Sequence, residues 1–203
     1  YVVVTGVQTC ALPILSKGYI IMIILASKSP RRKELLSFIT DDFKVDSADV
    51  DETLPQNIKP DKAVEYLSKI KAEPFRSSDN IVIGADTVVA IGDKILGKPK
   101  DKHDAFLMLK SLSGKEHSVF TGVTIIKNDK TETFSVQTKV KFFELSDDEI
   151  NKYISTNEPF DKAGAYGIQG KGSLLVEKID GDYFNVVGLP ISILARKLEN
   201  FYN

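Results

Sequence analysis

The sequence predicts an α/β protein with a mixed central sheet flanked by helices. Three observations carry this expectation. From Ile23 onward, short apolar runs alternate with segments of helical spacing. Residues 81–91 form a long, β-branched and nearly continuous apolar run, as a strand buried on both faces requires. Residues 119–127 and 131–143 alternate around Asn128-Asp129 as a strand pair.

The first strand, residues 23–26, stops at the polar turn Ser27-Lys28-Ser29. A helix then opens with Ser29 as N-cap and Pro30 at the first helical position, where proline's missing N–H costs nothing. Leu35 and Leu36 supply its apolar face. The turn gathers unpaired backbone N–H groups, two hydroxyls and the cations Lys28, Arg31 and Arg32. Helix N-termini attract anions and arginine forks suit phosphate oxygens, so this is a candidate polyphosphate seat. The plain alternative is a solvated helix start. It is no Walker loop, lacking the Gly-rich run, and no dinucleotide fingerprint, since residues 27–29 contain no glycine.

Residues 43–48 read as a short strand entering the acidic turn Asp49-Val50-Asp51-Glu52. Residues 60–73 are helical, with Ala63, Val64, Leu67, Ile70 and Lys71 at helix spacing. Gly92-Asp93 turns the chain after the central strand, and Gly97-Lys98-Pro99 breaks the next segment. A further helix covers Lys102–Leu112, closed by Ser113-Gly114, and Ser146 with Glu149 forms a capping box for another that runs to about Ser155. Residues 157–170 make a Gly/Ala-rich loop too long for a plain connection. Residues 174–179 and 183–187 flank Asp180-Gly181 as a second hairpin, and Pro190 starts a C-terminal amphipathic helix.

Composition narrows the function. With 203 residues, the chain can bury the core of one domain with two lobes. A net charge of −1 gives no general basic field for nucleic acid or an anionic membrane. Two histidines and the single Cys10 exclude a Cys/His zinc cluster and an intrachain disulfide, which fits a cytoplasmic location. No apolar run reaches the ~18 residues of a transmembrane helix. Residues 4–14 resemble the translation of a sequencing-library adapter. The expectation is therefore a non-native extension over residues 1–21, with Met22 the natural start of a single domain, residues 22–203.

Five further places carry potential chemistry. Asp86 puts a carboxylate inside an apolar strand, which is costly unless it is paired or binds metal. It reads either as a structural residue at the strand's end or as a general base or metal ligand. Lys98, held between Gly97 and Pro99, reads as a surface lysine or a phosphate clamp. Lys71 lies on the apolar side of its helix, as a snorkelling lysine or a ligand. Asp49, Asp51 and Glu52 suit a hard divalent cation or an ordinary acidic loop. Gln169, expected to be buried among glycines, offers the paired donor and acceptor that can read a base edge.

Together these parts suit a metal-assisted phosphoanhydride hydrolase. Residues 23 to about 195 resemble the Maf family of nucleoside triphosphate pyrophosphatases. The matching motifs are Leu-Ala-Ser-x-Ser-Pro-Arg-Arg, Asp51-Glu52, Lys71-Ala72, Gly84-Ala85-Asp86-Thr87, Gly97-Lys98-Pro99 and the run from Asp161 to Gly170. Arg32, Thr87 and the Ala-Tyr-Gly-Ile-Gln-Gly run are similar to the branch acting on dTTP and UTP; the branch acting on 7-methyl-GTP has a different loop in place of that run. Lys28 departs from the pattern, which more often has a small residue there.

The resemblance implies a mostly antiparallel-containing mixed sheet, two lobes around a cleft, and an ITPase-like fold. It implies hydrolysis between the α- and β-phosphates, giving a monophosphate and pyrophosphate, in house-cleaning of nucleotide pools. Ser27, Ser29, Arg31, Arg32, Lys71 and Lys98 would bind the triphosphate. Asp86 would be the proton acceptor, and Glu52 with Asp86 would hold Mg²⁺ or Mn²⁺. Arg31, Thr87 and Gln169 would select the base. A homodimer is implied, without nucleic-acid or membrane partners. The rival expectations are the same chemistry on modified nucleotides, and a non-catalytic nucleotide-binding regulator of septum formation.

Overall fold

The computed structural model describes residues 22–77 and 79–202. The expected extension, residues 1–21, lies outside them. The centre is a seven-stranded mixed sheet. Strand β1 (Met22–Ala26) runs parallel to β2 (Phe43–Asp46) on one side and to β3 (Asn80–Ile91) on the other. The end of β3 turns back into the short antiparallel β4 (Lys94–Leu96). The far edge of β3 pairs antiparallel with β5 (Glu116–Lys127), β5 with β6 (Lys130–Phe142), and β6 with β7 (Val176–Asp180).

Strand alternation sorts the side chains into layers. Ile81, Ile83 and Ala85 of β3 join Ile23, Leu25, Val123 and Ile125 on one face. Three helices cover that face: α1 (Pro30–Ser37), α5 (Tyr183–Val187) and α6 (Ile191–Leu198). On the other face, Val82 packs with Ala26, Ile126 and Ala72 of α2 (Pro60–Ala72). A second core gathers Val89 and Leu96 with α3 (Lys102–Leu112) and α4 (Asp147–Ile154). The two cores on β3 are the two lobes that the sequence leads one to expect.

Helix α2 lies unusually close to the sheet, and two glycines permit it. A Cβ on Gly84 would stand 2.2 Å from the Ser68 carbonyl oxygen, and one on Gly122 2.2 Å from that of Val64. Any side chain at either place would push the helix away, and with it the lysine near its C-terminal end.

One edge of β3 is open. The last pair with β1 is Ala26 with Gly84, and the first with β4 is Val89 with Leu96. Residues 85–88 therefore have no strand partner on that edge among the described residues. Their other edge is fully paired, Asp86 opposite Gly122 and Thr87 opposite Thr121. Asp86 thus sits in the middle of a strand and not at its end, and the gap beside it provides the space that a buried carboxylate needs.

Most expected elements are present, including the Ser146–Glu149 capping box and Ser29 as N-cap of α1. The second hairpin is not. Residues 183–187 are helical, because the Asp182 side chain accepts from the Phe184 N–H at 2.8 Å and caps the turn. The buried Asn185 amide donates to the Val119 carbonyl (3.1 Å) and Thr138 Oγ1 (3.0 Å), which anchors the helix on β5 and β6. Tertiary contacts override the strand propensity of its valines. Smaller differences are at boundaries: β2 ends at Asp46, β5 begins at Glu116, and Leu174 and Leu175 belong to a 3₁₀ turn before β7.

His117 on β5 is buried in the second core, edge-on to Phe142 and Tyr166. Its Nε2 shares a 2.8 Å hydrogen bond with Tyr166 Oη, while Nδ1 makes none of normal geometry. Burial pushes the imidazole down to about 4, against weaker support from Glu116 and the Lys115 backbone. The folded state therefore prefers neutral His117, a contribution complete above pH 6.5 and lost as pH falls toward 4. Between pH 7 and pH 4.5, the wild type should lose about 2 kcal/mol more stability than His117→Gln in urea denaturation. Parallel losses in the two proteins would mean that His117 does not report the acid sensitivity.

Candidate active site

The gap in the β3 edge opens into a cleft of about 1020 Å³ between the lobes. The turn after β1, the loop after β2, the C-terminal end of α2 and the loop after β4 all reach it, as does the loop at residues 158–170. The parallel strands β1 and β2 deliver their C-terminal ends here, the usual place for ligands in such sheets.

At the turn, Ser29 Oγ accepts from the Arg32 N–H at 3.4 Å, and Ser27 Oγ accepts from the Ser29 N–H at 3.3 Å. Arg32 is the hub. Its Nε donates to the Gly188 carbonyl (2.9 Å), Nη1 to Ser27 Oγ (3.2 Å) and Nη2 to Thr87 Oγ1 (3.1 Å). Burial lowers its pKa, while Asp86 across the cleft pulls the other way. Three of its five N–H groups are therefore spent on the protein and two remain. Arg31 is freer, with a 3.5 Å ion pair to exposed Asp161 on the opposite wall.

Strand alternation sends Asp86 and Thr87 to opposite faces of the sheet, yet both line the cleft because the sheet edge is open between them. Asp86 points toward α2. Lys71 Nζ lies 2.5 Å from its Oδ1 and 3.0 Å from Glu52 Oε2. The Lys71 side chain is 19% exposed and that of Asp86 13%, so this pair is poorly screened. The two carboxylates expected to hold metal thus converge on one ammonium.

The opposite wall is a loop held from beneath. Glu158 accepts from Tyr153 Oη (3.1 Å), Lys171 N–H (3.0 Å) and Gly172 N–H (3.2 Å). Gly164 and Ala165 adopt left-handed backbone, which for alanine costs roughly 1 kcal/mol and marks a constrained segment. The Gly164 N–H donates to the Gly97 carbonyl at 3.0 Å, tying this loop to the one that carries Lys98. Lys162 Nζ donates to the Glu158 carbonyl at 2.7 Å and lines the cleft. Gln169 sits at the mouth. It is exposed, contrary to the expectation of burial, because Ile168 before it takes the core position.

A family model described as Maf-like protein matches residues 22–201. The chain belongs to the Maf family. A Bacillus pumilus (strain SAFR-032) relative named dTTP/UTP pyrophosphatase is 52% identical over 181 residues, 88% of this chain and 96% of that protein. A Bacillus anthracis (strain CDC 684) relative of the same name is also 52% identical, over 88% and 95%. Two solved structures share the fold. The Staphylococcus aureus Ham1 protein has a TM-score of 0.55 at 16% identity, covering 89% of this chain and 99% of that one. A HAM1 protein from Coxiella burnetii has a TM-score of 0.51 at 11% identity over the same shares.

In this Maf chain, Ser27, Ser29, Arg31, Arg32, Glu52, Lys71, Asp86, Thr87, Lys98 and Gln169 all line the one cleft. Asp49 lines it too, whereas Asp51 instead accepts from the Thr53 N–H at 2.9 Å. Sequence reasoning missed Glu158, Lys162, Thr121 and Asn185. Glu158 and Lys162 stood inside the Gly/Ala-rich loop, but only the folded loop shows what they hold. Buried Thr121 and Asn185 carry no local signal.

Proposed function

We propose that this chain hydrolyses dTTP and UTP to the monophosphate and pyrophosphate, house-cleaning nucleotide pools in the cytoplasm. The observation that carries the reading is the Asp86 carboxylate in the open edge of β3, beside the Ser27–Arg32 turn. A general base must reach the attacking water, and a cleft carboxylate next to a phosphate seat meets that need. The names of the Bacillus relatives support the choice of nucleotide.

In this reading Arg31, Lys71 and Lys98 receive the triphosphate; contrary to expectation, the Ser27, Ser29 and Arg32 N–H groups of the turn are already bonded to the Leu25 carbonyl, Ser27 Oγ and Ser29 Oγ. Arg31 exchanges its exposed Asp161 for phosphate oxygens. Arg32, held by three acceptors, fixes the turn against Thr87 and Gly188 and offers its remaining N–H groups.

No three acidic, histidine or cysteine side chains cluster as a self-sufficient metal cage among the described residues. Glu52 and Asp86 still fit Mg²⁺ or Mn²⁺, which bind one or two carboxylates and complete their shell with phosphate oxygens and water. When bound, the metal supplies charge neutralisation on the phosphate oxygens.

The test is pyrophosphate release from dTTP, UTP, CTP, ATP and GTP, with and without Mg²⁺. Faster release from dTTP and UTP than from the other three is expected; none from any nucleotide refutes the proposal. Exposed Gln169 should act on selection alone. Gln169→Ala should change the dTTP-to-CTP ratio of kcat/KM roughly tenfold at unchanged Tm. An unchanged ratio would move base selection elsewhere.

A further inference from the structure

We propose that Thr121 is a positioning residue that makes Thr87 a hydrogen-bond acceptor toward the cleft, favouring bases with a protonated ring nitrogen. The proposal rests on the reading that Thr87 faces the base.

The argument is a count of protons. The Asn185 backbone carbonyl can only accept, and Thr121 Oγ1 lies 2.8 Å from it. A hydroxyl has one hydrogen, so the hydrogen of Thr121 is spent there. Thr87 Oγ1 is 2.9 Å from Thr121 Oγ1, and one of the two must donate. Only Thr87 has a hydrogen left, so Thr87 donates to Thr121. On its other side, Thr87 accepts from Arg32 Nη2 at 3.1 Å, in agreement with that direction. What remains free on this half-buried, cleft-lining hydroxyl is a lone pair.

Every link in the chain is held. Thr121 is fully buried and pairs directly with Thr87 across β3 and β5. The Asn185 backbone stays in place because its side-chain amide donates to Val119 and Thr138, and Thr138 Oγ1 donates to the Asp182 carbonyl at 3.0 Å. The hydroxyl of Thr87 therefore cannot turn round to donate without breaking a buried hydrogen bond, which is strongly disfavoured. Uracil and thymine carry a hydrogen on N3, whereas N3 of cytosine is a bare acceptor. An acceptor-only Thr87 suits the first pair and opposes a lone pair on the third.

The test compares kcat/KM for UTP and CTP. Thr121→Val keeps the shape but removes the acceptor, so the Thr87 hydrogen is released. The UTP-to-CTP ratio should fall about tenfold, chiefly through KM. Thr121→Ser, which keeps the hydroxyl, should stay within about twofold of wild type. Thr121→Ala gives a second reading of the lost hydroxyl should the valine variant not fold. An unchanged ratio in a folded Val or Ala variant, or an equal loss on both nucleotides, would overturn the proposal. Wild-type failure to turn over UTP would instead refute the proposed function itself.

Discussion

Asp86→Asn should lower kcat for dTTP by about 10³-fold while leaving nucleotide affinity within a few-fold. The amide keeps the size and place of the carboxylate but cannot take a proton from water. The fold should survive because Lys71, deprived of Asp86, keeps Glu52 at 3.0 Å. The variant should therefore unfold near the wild-type temperature and bind dTTP in titration calorimetry. A near-normal rate would remove Asp86 from the role of base. A rate loss matched by an equal loss of binding would place Asp86 in substrate capture instead.

Arg32→Ala should damage both stability and catalysis. In this half-buried site it leaves the Gly188 carbonyl without its donor, and removes one hydrogen bond each from Ser27 Oγ, which keeps the Ser29 N–H, and from Thr87 Oγ1, which keeps Thr121 Oγ1. An unpaired carbonyl costs about 1–3 kcal/mol when fully buried and each of the two lost hydrogen bonds about 1 kcal/mol, so a total of about 3 kcal/mol is expected here. The loss of kcat/KM should be at least 10²-fold, since the seat itself loosens. Arg32→Lys should rescue little, because an ammonium cannot reproduce the fork. Arg31→Ala is the contrast: its protein partner is exposed Asp161 at 3.5 Å, so KM should rise while stability holds. Full rescue by Arg32→Lys would show that charge alone matters at this position.

These two arginines show how far adjacent sequence positions can diverge. Side by side in the chain, they look like equivalent phosphate ligands. The step of about 100° between neighbouring helix positions sends Arg32 inward to three acceptors and Arg31 across the cleft. The difference lies in Gly188 and Thr87, which are remote in sequence and met only after folding. The segment at residues 183–187 differs from expectation for the same cause: its valines and aromatics favour a strand, while Asp182 and Asn185 find partners that hold a helix. Gln169 went the other way, because its neighbour Ile168 took the buried place.

The sequence by itself determined whatever depends on near neighbours. Ser29-Pro30 started a helix, Ser146 and Glu149 capped another, and the apolar runs became strands, since caps and alternation act within a few residues. It also brought the motifs of the Maf family, and with them the names of the cleft residues. Tertiary structure alone decided how Asp86 is tolerated and what Thr87 offers. The first depends on β1 ending at Ala26 and β4 ending at Leu96, opposite Val89, which leaves the edge of β3 open between them. The second depends on a buried chain of hydroxyls ending at the Asn185 carbonyl. Both are set by which distant strand or carbonyl stands opposite, and no local pattern encodes that.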